Sequence, residues 1–151
     1  MTIALIIHSL TAVLWVGGMF FAYIILRPTL QDLDPPARLG LWRGVFQRFF
    51  PWVWMSIIGL PASGYFMIFY GFGGFSGAGL HIHIMHLTGL IMIALFIYLY
   101  YVPWSAYRQL VDKQDYAAGA ARLGMMRKIV GANLALGLLT VALGASGRYW
   151  G

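Results

Sequence analysis

Four long apolar blocks, separated by short polar stretches, make up most of this chain. The first extends from Ile3 to Leu26 and stops at Arg27-Pro28. The second covers about Phe49 to Phe72, the third about Leu80 to Tyr101, ending before Pro103-Trp104, and the fourth about Ile129 to Ala145. Each is close to the roughly 20 residues that a helix needs to cross a bilayer. The first block lacks a basic leader and a small-residue cleavage pattern, so it reads as a retained span, not a signal peptide. Pro51 opens the second block, a position where the first turn tolerates proline, and Pro61 between Gly59 and Gly64 predicts a kink. Short connections favour an all-α, antiparallel four-helix bundle in the membrane, a single domain over residues 1–151 with no internal repeat.

The connecting segments add smaller elements. Asp34-Pro35-Pro36 is a helix-start signal, after which Leu39, Trp42, Val45, Phe46 and Phe49 recur at helical spacing. That pattern predicts a short amphipathic helix lying on the membrane surface. Asp115 is placed to cap a helix running through Arg122 into the fourth span. Glycines at 71, 73, 74, 77 and 79 suit a mobile or tightly turned loop between the second and third spans. No Lys or Arg accompanies them, which excludes a phosphate cradle.

Composition narrows the class. Hydrophobic residues are 61% of the 151 and charged ones only 9%, against about 25% charged in soluble domains. Soluble, disordered and nucleic-acid-binding classes are excluded despite the net charge of +6. The chain has no cysteine, so disulfides, iron–sulfur clusters and covalent haem attachment are impossible. It has no glutamate, and its four acids, Asp32, Asp34, Asp112 and Asp115, all fall in connecting segments. A proton-coupled transporter, which needs carboxylates within the membrane, is disfavoured.

Charge then orients the bundle. Arg27, Arg38, Arg43 and Arg48 flank the first connection, and Arg108, Lys113, Arg122, Arg127 and Lys128 the third, while Gly71 to Gly79 carries no charge. Nine of the ten basic residues thus lie at one end, which the positive-inside rule makes cytoplasmic. Both termini are expected on the outer, periplasmic side of a bacterial inner membrane. Trp52 and Trp104 at the inner boundary, and Tyr149-Trp150 at the outer one, fit an aromatic belt.

All four histidines fall in the opposite, outer half. His8 lies in the first span, and His81, His83 and His86 open the third as H-I-H-I-M-H. An ionisable side chain in a span is a candidate for function, because burying it unpartnered costs several kcal/mol. At 100° per residue, His83 and His86 lie about 60° apart on one helical face, and His81 points elsewhere, nearer Met85. His8 shares a stripe with Ala12, Trp15 and Met19. Imidazoles from two helices converging inside a bundle are what b-type haem needs for its two axial positions, and Ala12, Gly89 and Ala94 leave room for a flat ring. The plainer reading, a hydrogen bond to a neighbouring helix, applies to any one of them, and His81 reads as an interfacial, water-facing residue. Depth does not separate His83 from His86 as the second ligand.

The stretch H-S-L-T-A-V-L-W-V-G-G-M-F-F-A-Y from His8 to Tyr23 resembles the first helix of the bacterial copper-resistance D (CopD) family. The resemblance continues in F-F-P-W-V-W from Phe49, H-I-H-I-M from His81 and the fourth-helix stretch ending G-R-Y at Tyr149. The first-helix pattern, with the L-H-I from Leu80, is also similar to HemJ-type protoporphyrinogen oxidases. Those relatives are four- or five-helix membrane proteins with b-type haem, which implies protohaem IX as the cofactor here. The motif carries onto His8 and His83, implying that pair as first-choice iron ligands and His8 with His86 as the second choice. HemJ-type proteins have lysine at the position of His83, a departure that argues against porphyrinogen oxidation.

Three functions follow. The leading expectation is a membrane cytochrome b that exchanges electrons or does redox chemistry near the periplasmic face, with a quinone, a porphyrin or a periplasmic redox protein as partner. Arg148, the one outer cation, is then available to haem propionates, or simply snorkels at a helix end. The alternative, implied by the family name, is copper binding or transport through His81, His83, Met85 and His86, whose imidazole and thioether groups suit that metal. The remaining methionines read as packing. The third is a membrane subunit whose polar groups only specify packing. Small residues at Gly59 and Ser63, and at Gly131 and Ala135, mark close helix contacts or the faces of a homodimer.

Overall fold

The computed structural model describes residues 1–150, the Arg148 side chain excepted. Four helices carry the fold: α1 (Thr2–Thr29), α2 (Pro35–Gly71), α3 (Leu80–Asp112) and α4 (Tyr116–Ser146), each long and apolar enough to span a membrane. Single 3₁₀ turns at Phe75–Gly77 and Gly147–Tyr149 complete the secondary structure, and there is no strand among the described residues. This is an all-α, antiparallel membrane bundle. Large apolar side chains such as Ile3, Ile58 and Leu80 are more than two-thirds exposed, which is stable only against lipid, where helices satisfy their own backbone.

The helices outrun the apolar blocks, and the reasons are local. The segment expected to lie on the surface as a separate amphipathic helix is the first part of α2, which runs unbroken from Pro35 through Pro51 and Pro61 to Gly71. Leu39, Trp42, Phe46 and Phe50 share one face of it and are buried, so their periodicity records packing into the bundle, not contact with a membrane surface. α3 likewise passes Pro103, which sits in a π-turn over Tyr100–Trp104. A wider turn accommodates a ring that offers no N–H. α4 starts where expected, with the Asp115 carboxylate accepting a hydrogen bond from the Ala118 amide at 3.2 Å.

Packing divides the bundle lengthwise. At the end that carries the histidines, α1 pairs with α2 and α3 with α4. On the first pair, the Ser56 hydroxyl donates to the Thr11 carbonyl at 3.1 Å and Gly59 lies under Thr11. On the second, the hydroxyls of Thr88 and Thr140 are 2.7 Å apart, Gly137 faces Met92, and the Asn133 amide donates to the Met92 carbonyl at 3.2 Å. Small residues let the backbones approach, the usual solution where lipid gives no hydrophobic drive between helices.

The two hairpins join at the basic end and through the middle of the bundle. Trp42, Phe46 and Phe50 stack along α2 at 5.1 and 5.2 Å between centroids, and Trp104 of α3 meets Phe46 and Phe50 edge-on. Trp104 is therefore a core residue at 2% exposure, not part of an interfacial belt, whereas Trp52 is half exposed. The buried Tyr107 hydroxyl donates to the Leu39 carbonyl at 2.7 Å. Nearby, Arg43 pairs with Asp112: Nη2 donates to Oδ2 at 2.9 Å, and Nε lies 2.8 Å from Oδ1 without an aligned N–H.

Candidate metal site at the histidine end

Each histidine is positioned by a different neighbour. His8 sits on the inner face of α1, half-buried, with Nδ1 3.0 Å from the Ser63 hydroxyl of α2. Gly64 beside it leaves room for the ring, since a Cβ there would touch His8 Cε1 at 3.4 Å. Ser63 Oγ also bonds to the carbonyl of Gly59, one turn back on its own helix. A hydroxyl has one proton. With that proton on the Gly59 carbonyl, Ser63 accepts from His8, so Nδ1 carries the imidazole hydrogen and Nε2 the lone pair. A second partner that fixes the tautomer in this way is what orients a metal-ligating histidine.

On α3 the three histidines divide between two faces. His83 is exposed and His86 half-buried. Both lie against Phe75 of the connecting loop, at centroid distances of 5.9 and 5.3 Å. Tyr65 of α2 completes the enclosure of His86, edge-on at 5.4 Å. His81 and Met85, four residues apart, face α4 instead. The His81 ring lies directly over Gly147, where any Cβ would collide with it, and 6.2 Å from the indole of Trp150. Met85 lies over Gly144.

The structure therefore unites some of the expected residues and separates others. His83 and His86 share one aromatic neighbour, Phe75, and His81 and Met85 share another face. His8 is anchored to α2 by Ser63. Among the described residues, no three His, Cys, Asp or Glu side chains gather around one point that would hold a metal ion. An apolar groove of roughly 610 Å³ runs between α1 and α2 past Ser63, lined also by Met1, Ile7 and Phe66. It borders the residue that holds His8 and does not reach α3. Arg148, the expected propionate partner, has a side chain outside the described residues. Ser63, Tyr65 and Phe75 were not legible as site residues in the sequence, because each acts across a helix or loop boundary that the sequence alone does not bring together.

The chain is thus a four-span helical membrane bundle with all four histidines at one end. The chain belongs to the family Copper resistance protein D, which it matches over residues 43–146. The match takes in α2 almost from its first turns, all of α3, and α4 to its last residue, so His81, His83, Met85 and His86 lie inside it and His8 outside. Comparison with curated proteins and with solved structures finds no match. Family and spans together make this a multi-pass inner-membrane protein.

Proposed function

We propose that the chain handles copper at the histidine end of the bundle, with His83 and His86 as the capture pair. The observation that carries this reading is the packing of both imidazoles against Phe75, with Tyr65 edge-on to His86. All four acids lie in or beside the connections at the opposite end of the bundle. A donor set of imidazole and thioether without carboxylate favours copper over the harder divalent ions. Exposed His83 meets the ion first. His86, about 4.5 Å further along the helix axis, holds it beneath the aromatic cover, and His81 with Met85 offers a second pair of donors on the α4 side. The uneven distribution of basic residues supports a periplasmic position for this end, with both termini.

The test is titration of the purified full chain with Cu(I) against a chromophoric competitor. Replacing His83 or His86 by Ala is expected to weaken binding more than about tenfold, since even the partners of ligands contribute that much. His8→Ala is expected to leave it unchanged. Equal affinity in the wild type and both α3 variants overturns the reading.

A second reading is favoured by one observation, the contact of His8 Nδ1 with the Ser63 hydroxyl at 3.0 Å. An imidazole held through Nδ1, with Nε2 left to ligate, suits an axial ligand of b-type haem, protohaem IX, with His83 as the first-choice partner and His86 as the second. Bound haem would supply one-electron chemistry near the periplasmic face, exchanged with a quinone, a porphyrin or a periplasmic redox protein. In that case His8→Ala removes a haem absorption band from protein purified from haem-replete cells. Copper retained without that band supports the first reading.

A further inference from the structure

A second cavity lies at the other end of the bundle. It has a volume of roughly 490 Å³ and lies between the ends of α1, α2 and α4. Arg27 of α1, Arg38 of α2 and Arg127 of α4 line it, with Tyr23 on the wall and Trp42 and Phe46 among the lining residues of α2. Small residues open the space: Ala22 on α1, and Ala120 and Gly124 on α4.

Three guanidinium groups in one cavity require an explanation. They repel one another, and among the described residues none has a carboxylate within ion-pair distance. Asp112 is taken by Arg43, and Asp115 caps α4. Arg38 reaches only the Gln31 carbonyl, at 3.4 Å, and Arg27 lies over the Tyr23 ring at 5.2 Å. Arg127 is exposed. Trp42 and Phe46, by contrast, are buried and apolar. The cavity thus combines cations that lack a carboxylate partner with an apolar floor, at the charged end of the bundle.

We infer that this cavity binds a phosphoryl anion, with the three arginines on its oxygens and Trp42 and Phe46 under whatever apolar portion it carries. Guanidinium forks match phosphate oxygens two at a time. Basic cavities between membrane helices on the cytoplasmic side are suited to phospholipid headgroups. A headgroup and free phosphate share this chemistry, and the experiment separates them.

Full-length protein is reconstituted into nanodiscs of phosphatidylcholine with or without phosphatidylglycerol. Bound lipid is read by native mass spectrometry, and intrinsic tryptophan fluorescence, with Trp42→Phe as the control for the cavity's own indole, is followed as inorganic phosphate is titrated into the phosphatidylcholine discs. Retention of phosphatidylglycerol identifies the lipid; a saturable fluorescence response to phosphate identifies the free anion. In either arm, Arg38→Ala and Arg127→Ala are each expected to weaken binding about fivefold, the contribution of one cation near a membrane surface. The Lys variants R38K and R127K keep the charge and fold but lose the fork, and should fall between. Lys128→Ala, beside the cavity but not lining it, should bind as the wild type does. Absence of binding in both arms overturns the inference, and so does a loss with Lys128→Ala as large as that with Arg127→Ala, which would mark diffuse surface attraction instead.

Discussion

Ser63 holds the imidazole of His8 across the contact between α1 and α2, with Nδ1 and Oγ 3.0 Å apart. With the Ser63 hydroxyl hydrogen on the Gly59 carbonyl, Nδ1 is the donor and Nε2 keeps its lone pair, the form of histidine that can ligate a metal. Ser63→Ala removes the acceptor. Nitrogen-15 spectra of labelled protein are expected to show a single Nδ1–H tautomer at His8 in the wild type and a mixture in the variant. If His8 ligates haem iron, the same substitution should weaken haem retention about 10- to 100-fold, as loss of such an orienting partner typically does. An unchanged tautomer would show that Ser63 does not set it.

Gly147 and Gly144 make opposite demands on the end of α4. A Cβ on Gly147 would run into the His81 ring at its attachment to the chain, against Cγ and Cβ, where little can yield. A Cβ on Gly144 meets only the terminal methyl of Met85, at 2.9 Å, and methionine repacks easily. Gly147→Ala is expected to destabilise the bundle by about 1–3 kcal/mol through overpacking. Gly144→Ala should cost less than about 1 kcal/mol. Thermal unfolding of the two variants in detergent gives the order, and equal midpoints would contradict the placement of His81.

Much of this architecture is legible in the sequence, for reasons that particular residues make clear. The apolar blocks locate four spans because only a helix of about 20 residues solves the backbone problem in lipid. Asp115 announces the start of α4 because a carboxylate before a helix has an amide to accept from. Trp104 misleads, since a tryptophan between Pro103 and Arg108 carries the composition of an interface while the fold encloses it among Phe46, Phe50 and Tyr107. The prolines mislead in the same way: Pro51 and Pro103 look like boundaries, and only neighbouring helices show that the chain continues through them. The histidines were visible, but Ser63, Tyr65 and Phe75 were not. Which helix packs against which is decided by side-chain fit at Gly59, Gly64 and Gly144, and no local pattern encodes it.

Near the basic end, the charged contact should matter less than the neutral one. Arg43 and Asp112 meet closely, but their side chains remain 29% and 56% exposed. Ion pairs in that setting contribute about 0–1 kcal/mol and weaken in salt. The Tyr107 hydroxyl is fully buried on the Leu39 carbonyl. Tyr107→Phe should therefore cost about 1–2 kcal/mol, more than Asp112→Asn. Unfolding measured at low and high salt distinguishes them: only the effect of the aspartate variant should shrink as ionic strength rises.

Asn133 offers the sharpest test of how polar groups act within the span. It is buried in α4 at 3% exposure, its amide nitrogen donates to the Met92 carbonyl at 3.2 Å, and its own carbonyl oxygen has no partner. The one bond gains little, because hydrogen bonds between membrane helices average about 0.6 kcal/mol. The unpartnered oxygen opposes it, and removing both groups with a side chain of similar volume discards the cost along with the gain. Asn133→Leu is expected to leave stability within about 1 kcal/mol of the wild type or to raise it. Asn133→Ala, which leaves a void against Met92 and Gly137, should be the less stable of the two. If Asn133→Leu instead unfolds the protein, the asparagine oxygen is satisfied by a bound water or ligand that the leucine displaces, and its polarity serves more than packing.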